Sequence, residues 1–232
     1  MSSKTVLITG CGRGIGLEMV RQYAEQGWRV HACARNVDQN AALGRLVGQY
    51  PDIVLHELDV TDDTQIAALD RSLGGEAIDL LINNAGVYGP KGLVFGQVER
   101  ETWRRVLEVN TISPLMVTQA LMGRLLAGDL KKVALVSSKV GSIADNGSGG
   151  GYYYRSSKTA LNQVVKSLSI DLAEQGVKVA ALHPGWVQTD MGGPNALIDV
   201  NQSVTGLRQV IENLDASSSG GFFDYQGNEI PW

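Results

Sequence analysis

The sequence predicts a single α/β domain built around a parallel β-sheet. Short apolar runs alternate with longer amphipathic segments along the 232-residue chain, which is the pattern of repeated βαβ units. Several of the runs are apolar throughout, which is typical of strands covered by helices on both faces. A glycine-rich segment joins the first apolar run to the first amphipathic segment. A chain of this length can bury one substantial core.

Seven short apolar runs are the candidate strands, the last with the weakest pattern. They are Thr5–Thr9, Arg29–Ala34, Asp52–Glu57, Leu80–Asn83, Lys132–Ser137, Lys178–His183 and Gly221–Tyr225. The amphipathic segments between them are the candidate helices. They are Gly14–Gln26, Asn40–Val47, Thr64–Leu73, Thr102–Leu126, Tyr152–Glu174 and Val200–Asn213. The Gly/Ser-rich stretch 146–151 resembles a linker, but strands continue on both sides of it, so residues 1–232 are predicted to form one domain.

Composition and charge narrow the possible partners. The net charge of -4, the pI near 5.4 and the absence of a lysine/arginine block argue against a nucleic-acid partner. No apolar run approaches the roughly 20 residues of a membrane span. The start, Met1–Lys4, leads directly into an apolar run without the features of a signal peptide. We therefore expect a cytoplasmic protein that binds neither nucleic acid nor membrane.

The cysteines and histidines indicate neither a disulfide framework nor a metal site. Cys11 and Cys33 are the two cysteines, too few for a framework or a ligand cluster. The three histidines are scattered without ligand spacing. We expect reduced thiols and no metal.

Tyr154 and Lys158 are four residues apart and therefore share one face of a predicted helix. A phenol ionises near pH ~10, and a neighbouring cation favours the phenolate and lowers its pKa. Such a pair can donate and accept a proton near neutral pH. The alternative is a tyrosine ring that merely lies along an aliphatic lysine stem.

The glycine-rich loop Thr9–Gly16 follows the first strand and begins the first helix. Glycines allow backbone N–H groups to approach a pyrophosphate, and a helix N-terminus favours its negative charge. Ile15 stands where the general G-x-G-x-x-G fingerprint needs a glycine, so the matching pattern is T-G-x-x-x-G-x-G. The glycines of the loop are Gly10, Gly12, Gly14 and Gly16. A tight turn without ligand is the alternative.

Arg35, directly after the second strand, favours NADP(H) over NAD(H). An acidic residue at this place would bind the adenosine ribose, whereas an arginine accommodates a 2′-phosphate. Arg13, inside the glycine loop, could add a second positive charge. Asp38 is the competing reader of the ribose, but it is expected in an exposed turn. A solvated surface arginine remains the alternative for Arg35.

Asp59 and Val60 follow the third strand and resemble a pair that holds an adenine edge. The carboxylate would accept from the adenine amino group and the Val60 amide would donate. A helix cap before Thr61–Asp63 is nearly as well supported by the residues.

Pro114 lies four residues after Asn110, inside the predicted helix Thr102–Leu126. A proline ring clashes with the carbonyl four residues before it, which predicts a kink at Asn110. The kink would free that carbonyl to bind a water. A merely tolerated kink is the alternative.

Together these features resemble the short-chain dehydrogenase/reductase family over essentially the whole chain. The matching residues are Thr9–Gly10, Gly14–Gly16, Asn83–Gly86, Asn110, Ser138, Tyr154, Lys158 and Pro184–Gly185. The segments 183–193 and 220–227 resemble the sniffer-like and C-factor-like carbonyl reductases of that family.

The resemblance implies a Rossmann fold with a seven-stranded parallel sheet and assigns roles to four residues. Tyr154 would be the acid/base, and Lys158 would hold the nicotinamide ribose and lower the tyrosine pKa. Ser138, selected over Ser137 by its spacing to Gly141, would bind the substrate carbonyl. Asn110 would hold a water linking Lys158 to solvent.

The resemblance also implies the rest of the cofactor site. Asn84, Ala85 and Gly86 would line the cofactor and support the sheet. Pro184, Gly185 and Val187 would shape the nicotinamide pocket. Thr189 would reach the carboxamide or the phosphates.

We therefore expect an NADPH-dependent reductase of small aldehydes, ketones or quinones. An NAD(P)-binding signalling or sensor protein of C-factor type, with little turnover, is the alternative. The resemblance further implies a homodimer that pairs Thr102–Leu126 and Tyr152–Glu174. The short region after Pro184 predicts a small lid and an open pocket, and the glycine-rich segment before Tyr154 is expected to be mobile.

Overall fold

In the computed structural model, which describes residues 4–232, seven parallel strands form one sheet in the order β3-β2-β1-β4-β5-β6-β7. The strands are β1 Thr5–Thr9, β2 Arg29–Ala34, β3 Ile53–Glu57, β4 Leu80–Asn83, β5 Lys132–Val136, β6 Lys178–His183 and β7 Gly221–Asp224. All six strand pairs are parallel. The predicted fold class is confirmed.

The α-helices are α1 Gly14–Glu25, α2 Ala41–Gln49, α3 Asp63–Ser72, α4 Arg100–Leu107, α5 Ser113–Ala120, α6 Met122–Ala127, α7 Tyr152–Asp171 and α8 Val200–Asn213. Three short 3₁₀ segments cover Val37–Gln39, Lys139–Gly141 and Ala173–Gln175, and a π turn covers Glu108–Ile112. In the described part of the chain, no helix is both long and apolar enough to cross a membrane.

The sheet separates two apolar cores. On one face Val6 and Ile8 pack with residues of α1, α2 and α8, such as Met19 and Leu207. On the other face Leu7 packs with residues of α3, α5 and α7. The central strands β1, β4, β5 and β6 contribute side chains to both cores, because successive side chains point to opposite faces of a strand. This arrangement explains why the central strands are apolar throughout.

The largest difference from the sequence prediction concerns Thr102–Leu126. Instead of one kinked helix, this region forms α4, the π turn, α5 and α6. The π turn contains Asn110, where the kink was expected, and Ser113 closes it by donating from both its amide and its hydroxyl to the Glu108 carbonyl. Because Pro114 has no N–H, an α-helical hydrogen bond to Asn110 is impossible. The break at Leu121 was not expected.

The order of the strands reverses between β1 and β4. From β1 the chain builds outward through β2 and β3, then returns to β4 on the other side of β1. In open parallel sheets, ligands bind outside the carboxyl ends of the strands at such a reversal. The glycine loop and Asn84, which follow β1 and β4, lie at this point.

Candidate active site

The glycine loop packs tightly against the segment after β4. A Cβ atom at Gly10, whose φ is +72°, would lie 2.7 Å from the Ala85 Cα, and one at Gly16 would lie 2.3 Å from the Gly10 carbonyl oxygen. Asn84 donates from Nδ2 to the carbonyls of Thr9 and Gly10, at 2.9 and 3.1 Å. These two glycines are therefore required by the packing of the loop itself.

The same loop leaves the N-terminus of α1 open to an anion. Gly14, with φ +55°, begins the helix, and the first turn contains no acidic residue. Within residues 4–232, the preceding Arg13 makes no side-chain hydrogen bond to the helix amides. Thr189 lies beside the opening, since its Cγ2 is 3.3 Å from an ideal Cβ at Gly14. Uncapped N–H groups and the helix dipole fit a pyrophosphate here.

The two arginines expected at the adenosine end have different surroundings. Arg13, in the glycine loop, forms an ion pair with Asp190, in the segment after β6, although both side chains are mostly exposed. Arg35 is exposed at the end of β2, and its charge contributes to lowering the pKa of Asp59. Asp38 lies in the exposed 3₁₀ segment after β2, as expected.

Asn40 connects the glycine loop to α2, a role that the sequence did not reveal. Its Oδ1 accepts from the amides of Ala42 and Leu43 and so caps the helix, while its Nδ2 donates to the Gly12 carbonyl at 2.9 Å. The available signal was an asparagine, a preferred N-cap residue, at the start of a predicted helix.

Asp59 does not cap the helix that follows it. Its Oδ1 accepts from the amide and hydroxyl of Thr61, at 3.0 and 2.8 Å, and these bonds hold its pKa below the ordinary value. Asp62 is the residue that caps α3. The side chain of Val60 packs against the core under α3 and α5. The helix-cap alternative for Asp59 is therefore wrong.

Tyr154 and Ser138 lie together at the carboxyl edge of β5. Tyr154 is half-buried in the first turn of α7. Burial raises the pKa of its phenol to about 12, and a hydrogen bond with the Ser138 side chain opposes this effect. The hydroxyl of Ser137 instead points inward and donates to the buried Asn162, at 2.6 Å. Ser138 is thus the serine that faces Tyr154.

Lys158 is buried behind the Tyr154 ring. Its Nζ lies 5.6 Å from the ring centroid and donates to the Val136 carbonyl at 2.8 Å. Burial lowers the pKa of Lys158 to about 8. The expected lowering of the Tyr154 pKa by Lys158 is not found, because burial is the largest influence on this pKa and Lys158 is not among the groups that shift it.

Gly141 allows the turn after Ser138 to pack closely against Lys158. A Cβ atom there would lie 2.8 Å from the Cβ of Lys158, and the Gly141 carbonyl accepts from the Thr159 hydroxyl at 2.7 Å. The 3₁₀ turn after Ser138 therefore rests directly on α7. A side chain at Gly141 would push the two elements apart.

Asn110 joins three segments around the site. Its side chain accepts from the Val87 amide and donates to the Val87 carbonyl, both at 2.8 Å, and also donates to the Ser157 hydroxyl at 2.9 Å. An ideal Cβ at Gly86 would lie 3.3 Å from Asn110 Oδ1 and 3.6 Å from Lys158 Nζ. Asn110 therefore fixes the loop after β4 against α7 beside Lys158. Its expected water relay stays a prediction.

A small cavity opens in front of Tyr154, with a volume of about 140 Å³. Its lining is Tyr88, Pro90, Gly92, Leu93, Val98 and Gly151–Tyr154. Tyr153 is buried, and its hydroxyl accepts from the Glu99 amide at 2.6 Å. Tyr152 is partly exposed at the cavity wall. Tyr88 carries a second aromatic ring into the site, which the sequence did not indicate.

The segment after β6 forms the opposite wall. The Pro184 carbonyl accepts from Ser203 at 2.6 Å, and Gly185, with φ +86°, packs where a Cβ would lie 2.7 Å from Ile198. Val187 is buried and forms a parallel bridge with Ile198. These contacts set a fixed turn between β6 and Thr189.

Known proteins share much of this sequence. A family model described as short chain dehydrogenase matches residues 4–197. The C-signal protein of Myxococcus xanthus is 49% identical over 155 residues, which cover 67% of this chain and 93% of that protein. The 1-hydroxy-2-glutathionyl-2-methyl-3-butene dehydrogenase of Rhodococcus sp. (strain AD45) is 36% identical over 235 residues, 98% of this chain and 99% of that protein.

Solved structures are similar over the whole chain. An NADPH-bound carbonyl reductase from chicken fatty liver superposes with a TM-score of 0.92 at 34% identity, covering 100% of both chains. The carbonyl reductase Sniffer of D. melanogaster gives a TM-score of 0.91 at 33% identity, also covering 100% of both chains. The range matched by the family model includes the glycine loop, Ser138, Tyr154, Lys158 and Thr189.

Proposed function

Because this chain belongs to the short-chain dehydrogenase family of oxidoreductases, we propose that it is an NADPH-dependent reductase of small aldehydes, ketones or quinones. The observation that carries this proposal is the position of Tyr154, whose ring lines the cavity and has the buried Lys158 Nζ 5.6 Å from its centroid. A small molecule in this cavity can therefore reach the Tyr154 side chain.

The chemistry requires two hydroxyl groups that act on one oxygen atom. NADPH, when bound, supplies the hydride. As the carbonyl oxygen gains negative charge, hydrogen bonds from Ser138 and Tyr154 lower the barrier. Tyr154 then transfers its phenolic proton to that oxygen, which yields the alcohol. Its pKa of about 12 keeps the phenol protonated at neutral pH, which a proton donor requires.

Lys158 gives the site a cation close to the phenol. Its pKa of about 8 leaves it mostly protonated at neutral pH, so an ammonium group behind the Tyr154 ring would be available to hold the nicotinamide ribose. Asn110 would hold the water that returns the proton from solvent.

The cofactor would lie along the carboxyl edge from β3 to β6. The loop glycines and the α1 amides would hold the pyrophosphate, Arg35 and Arg13 the 2′-phosphate, and Asp59 and Val60 the adenine. Asn84, Ala85 and Gly86 would line its middle. Pro184, Gly185, Val187 and Thr189 would surround the nicotinamide. The uncapped α1 N-terminus and the exposed Arg35 support this assignment.

The experiment is NADPH oxidation by the purified full chain with a panel of small aldehydes, ketones and quinones. Tyr154→Phe removes the proton donor and should abolish turnover. Tyr50→Phe is the matched control and should retain turnover. It removes a phenolic hydroxyl from a tyrosine packed against the core that contains Val6 and Ile8. Turnover that survives in Tyr154→Phe would refute the mechanism.

A second candidate function is nucleotide-dependent signalling with little turnover. The similarity to the C-signal protein favours it. Tight NADPH binding in calorimetry, combined with no NADPH oxidation by any carbonyl of the panel, would establish this alternative over the reductase.

We further propose a homodimer that pairs the α4–α5 region and α7 across a two-fold axis. Ile112 and Ile170, both exposed on these elements, would be covered in it. Light scattering at micromolar concentration should give twice the chain mass, and a monomer would refute the pairing.

The cytoplasm is the compartment that we propose. Cys11 and Cys33 are buried free thiols, which suits a reducing compartment. Fractionation that places the native protein outside the cytoplasm would refute this.

A further inference from the structure

Tyr88 stacks on Tyr154 in front of the site. The ring centroids are 4.7 Å apart and the rings are inclined by 27°. Each ring also has an ammonium group nearby: Lys91 Nζ lies 5.5 Å from the Tyr88 centroid, and Lys158 Nζ lies 5.6 Å from the Tyr154 centroid. The phenol of Tyr154 is therefore part of a group of two rings and two cations.

The backbone that carries Tyr88 is fixed on both sides. The preceding residue, Val87, has its amide and its carbonyl both bonded to the Asn110 side chain. The following residue, Gly89, has φ +77°, and a Cβ there would lie 3.1 Å from Val106 and 3.5 Å from Tyr153. Tyr88 is thus presented from a rigid turn.

The backbone before Tyr154 is rich in glycine, although Tyr153 is buried and its hydroxyl accepts from the Glu99 amide. Gly149, Gly150 and Gly151 all have positive φ, are exposed, and lead directly into the first turn of α7. Tyr154 is the third residue of that helix. Because glycines restrict the backbone least, contacts made by the Tyr154 ring itself add to what fixes its orientation.

Lys91 ties the Tyr88 turn to the opposite wall of the cleft. Besides facing the Tyr88 ring, its Nζ donates to the Met191 carbonyl at 2.8 Å. The turn is therefore held by the hydrogen bonds between Asn110 and Val87 and by the hydrogen bond from Lys91 to the Met191 carbonyl.

We propose that Tyr88 is a positioning residue, whose ring holds the Tyr154 ring in the orientation that directs its hydroxyl towards Ser138. The role rests on the proposed reductase function, because it serves the proton transfer from Tyr154. Tyr88 and Tyr154 both line the cavity in which a substrate would lie.

The kinetic test compares Tyr88→Phe and Tyr88→Leu with the unmodified chain. Phenylalanine keeps the stacked ring, so kcat should stay within about twofold. Leucine removes the ring, and a small misplacement of a reacting group is costly, so kcat should fall about tenfold or more with an unchanged KM for NADPH. Phe95→Leu, on the same loop but 88% exposed, is the control.

A second readout is independent of turnover. In NMR spectra of the protein with ring-¹³C-labelled tyrosine, the Tyr154 signal is identified by its loss in Tyr154→Phe. Its ring should flip faster in Tyr88→Leu than in the unmodified chain, and Tyr88→Phe should keep the slower rate. Tyr88 is half-buried on a loop, so both variants should fold.

The outcomes separate this inference from the proposed function. Equal kcat and equal ring-flip rates in Tyr88→Leu and the unmodified chain would overturn the positioning role while the reductase stands. A fall in kcat as large in Tyr88→Phe as in Tyr88→Leu would overturn it too, because the ring would then not be what matters. Turnover in Tyr154→Phe would instead remove the proposed function.

Discussion

Lys158 donates its Nζ to the Val136 carbonyl at 2.8 Å inside the protein, where burial lowers the lysine pKa to about 8. The folded state therefore binds this proton less tightly than the unfolded chain, whose lysine has an ordinary pKa of 10.5. The buried charge costs stability, and the cost is fully present below pH 8.

We expect Lys158→Met to stabilise the fold and abolish turnover. Removing the buried ammonium should raise the free energy of unfolding at pH 7 by up to about 2 kcal/mol, after the lost hydrogen bond to Val136 is subtracted. The advantage should shrink as pH rises from 8 towards 10.5, because the folded lysine then becomes neutral. Urea unfolding measures this, with Lys166→Met, exposed on the same helix, as the control. A constant advantage across that range would contradict the argument.

Gly16→Ala should destabilise the glycine loop. The new Cβ would lie 2.3 Å from the Gly10 carbonyl oxygen and 2.5 Å from the side-chain Nδ2 of Asn84. The backbone oxygen cannot move without distorting the loop. We expect a loss of about 1–3 kcal/mol in urea unfolding. In Gly44→Ala, within α2, nothing lies within 4 Å of the new Cβ, and we expect a gain of about 0.5–1 kcal/mol. Equal effects of the two changes would refute the packing argument.

Arg35→Ala should weaken NADPH binding while leaving NADH binding unchanged. A charge-assisted hydrogen bond contributes about 1.5–3 kcal/mol, which corresponds to roughly a tenfold to hundredfold rise in Kd. Calorimetric titration with both nucleotides gives the two constants. Arg45 is exposed on α2, and Arg45→Ala should leave both dissociation constants unchanged. If the preference between the nucleotides persists in Arg35→Ala, another residue reads the phosphate.

Asp190→Asn should tighten NADPH binding selectively. Asp190 forms an ion pair with Arg13 across the cleft and so competes for the charge that a 2′-phosphate would use. Removing the carboxylate should lower the Kd for NADPH by a few-fold, consistent with the small contribution of exposed ion pairs, and leave NADH unaffected. Arg13→Ala combined with Asp190→Asn should cancel the gain, and a gain that persists would show that Arg13 is not involved.

Stability should fall as pH decreases from 6.5 to 4, in part through His56. Burial and the charge of His31 lower the pKa of His56 to about 4, while Glu76 opposes and Arg29 adds to this effect. His56 lies 2.8 Å from His31, Nε2 to Nδ1. The unfolded chain binds more protons in this range, so stability is lost as pH falls. Urea unfolding of His56→Gln should show a weaker pH dependence, and an identical slope would contradict the assignment.

The regular parts of the fold were predictable because each depends on local pattern. All seven strands were found within one residue at each end, and Val200–Asn213 matched α8 at both ends. The break near Asn110 followed from Pro114 alone. That it is a π turn depends on Ser113 and on packing, which the pattern does not contain.

The parts that could not be predicted depend on residues far apart in the chain. Arg13 and Asp190 are separated by 177 positions, and Tyr88 meets Tyr154 only because β4 and β5 are neighbours in the sheet. The raised pKa of Tyr154 has the same origin. A spacing of four residues indicates a neighbouring cation, but the extent of burial, which decides the pKa here, follows from the complete fold.

The π turn at Glu108–Ile112 rotates α5 about the helix axis relative to α4. One additional residue in a turn rotates everything that follows by about 100°. Helix α4, before the turn, packs against α7, whereas α5, after it, packs against α3 and β4. Residues 100–120 therefore pack against α7 with one face and against α3 and β4 with another. An unbroken helix would not point both faces at these neighbours. Deletion of Thr111 would restore a regular α-helix through this region. That helix would pack correctly against α7 or against α3 and β4, but not against both.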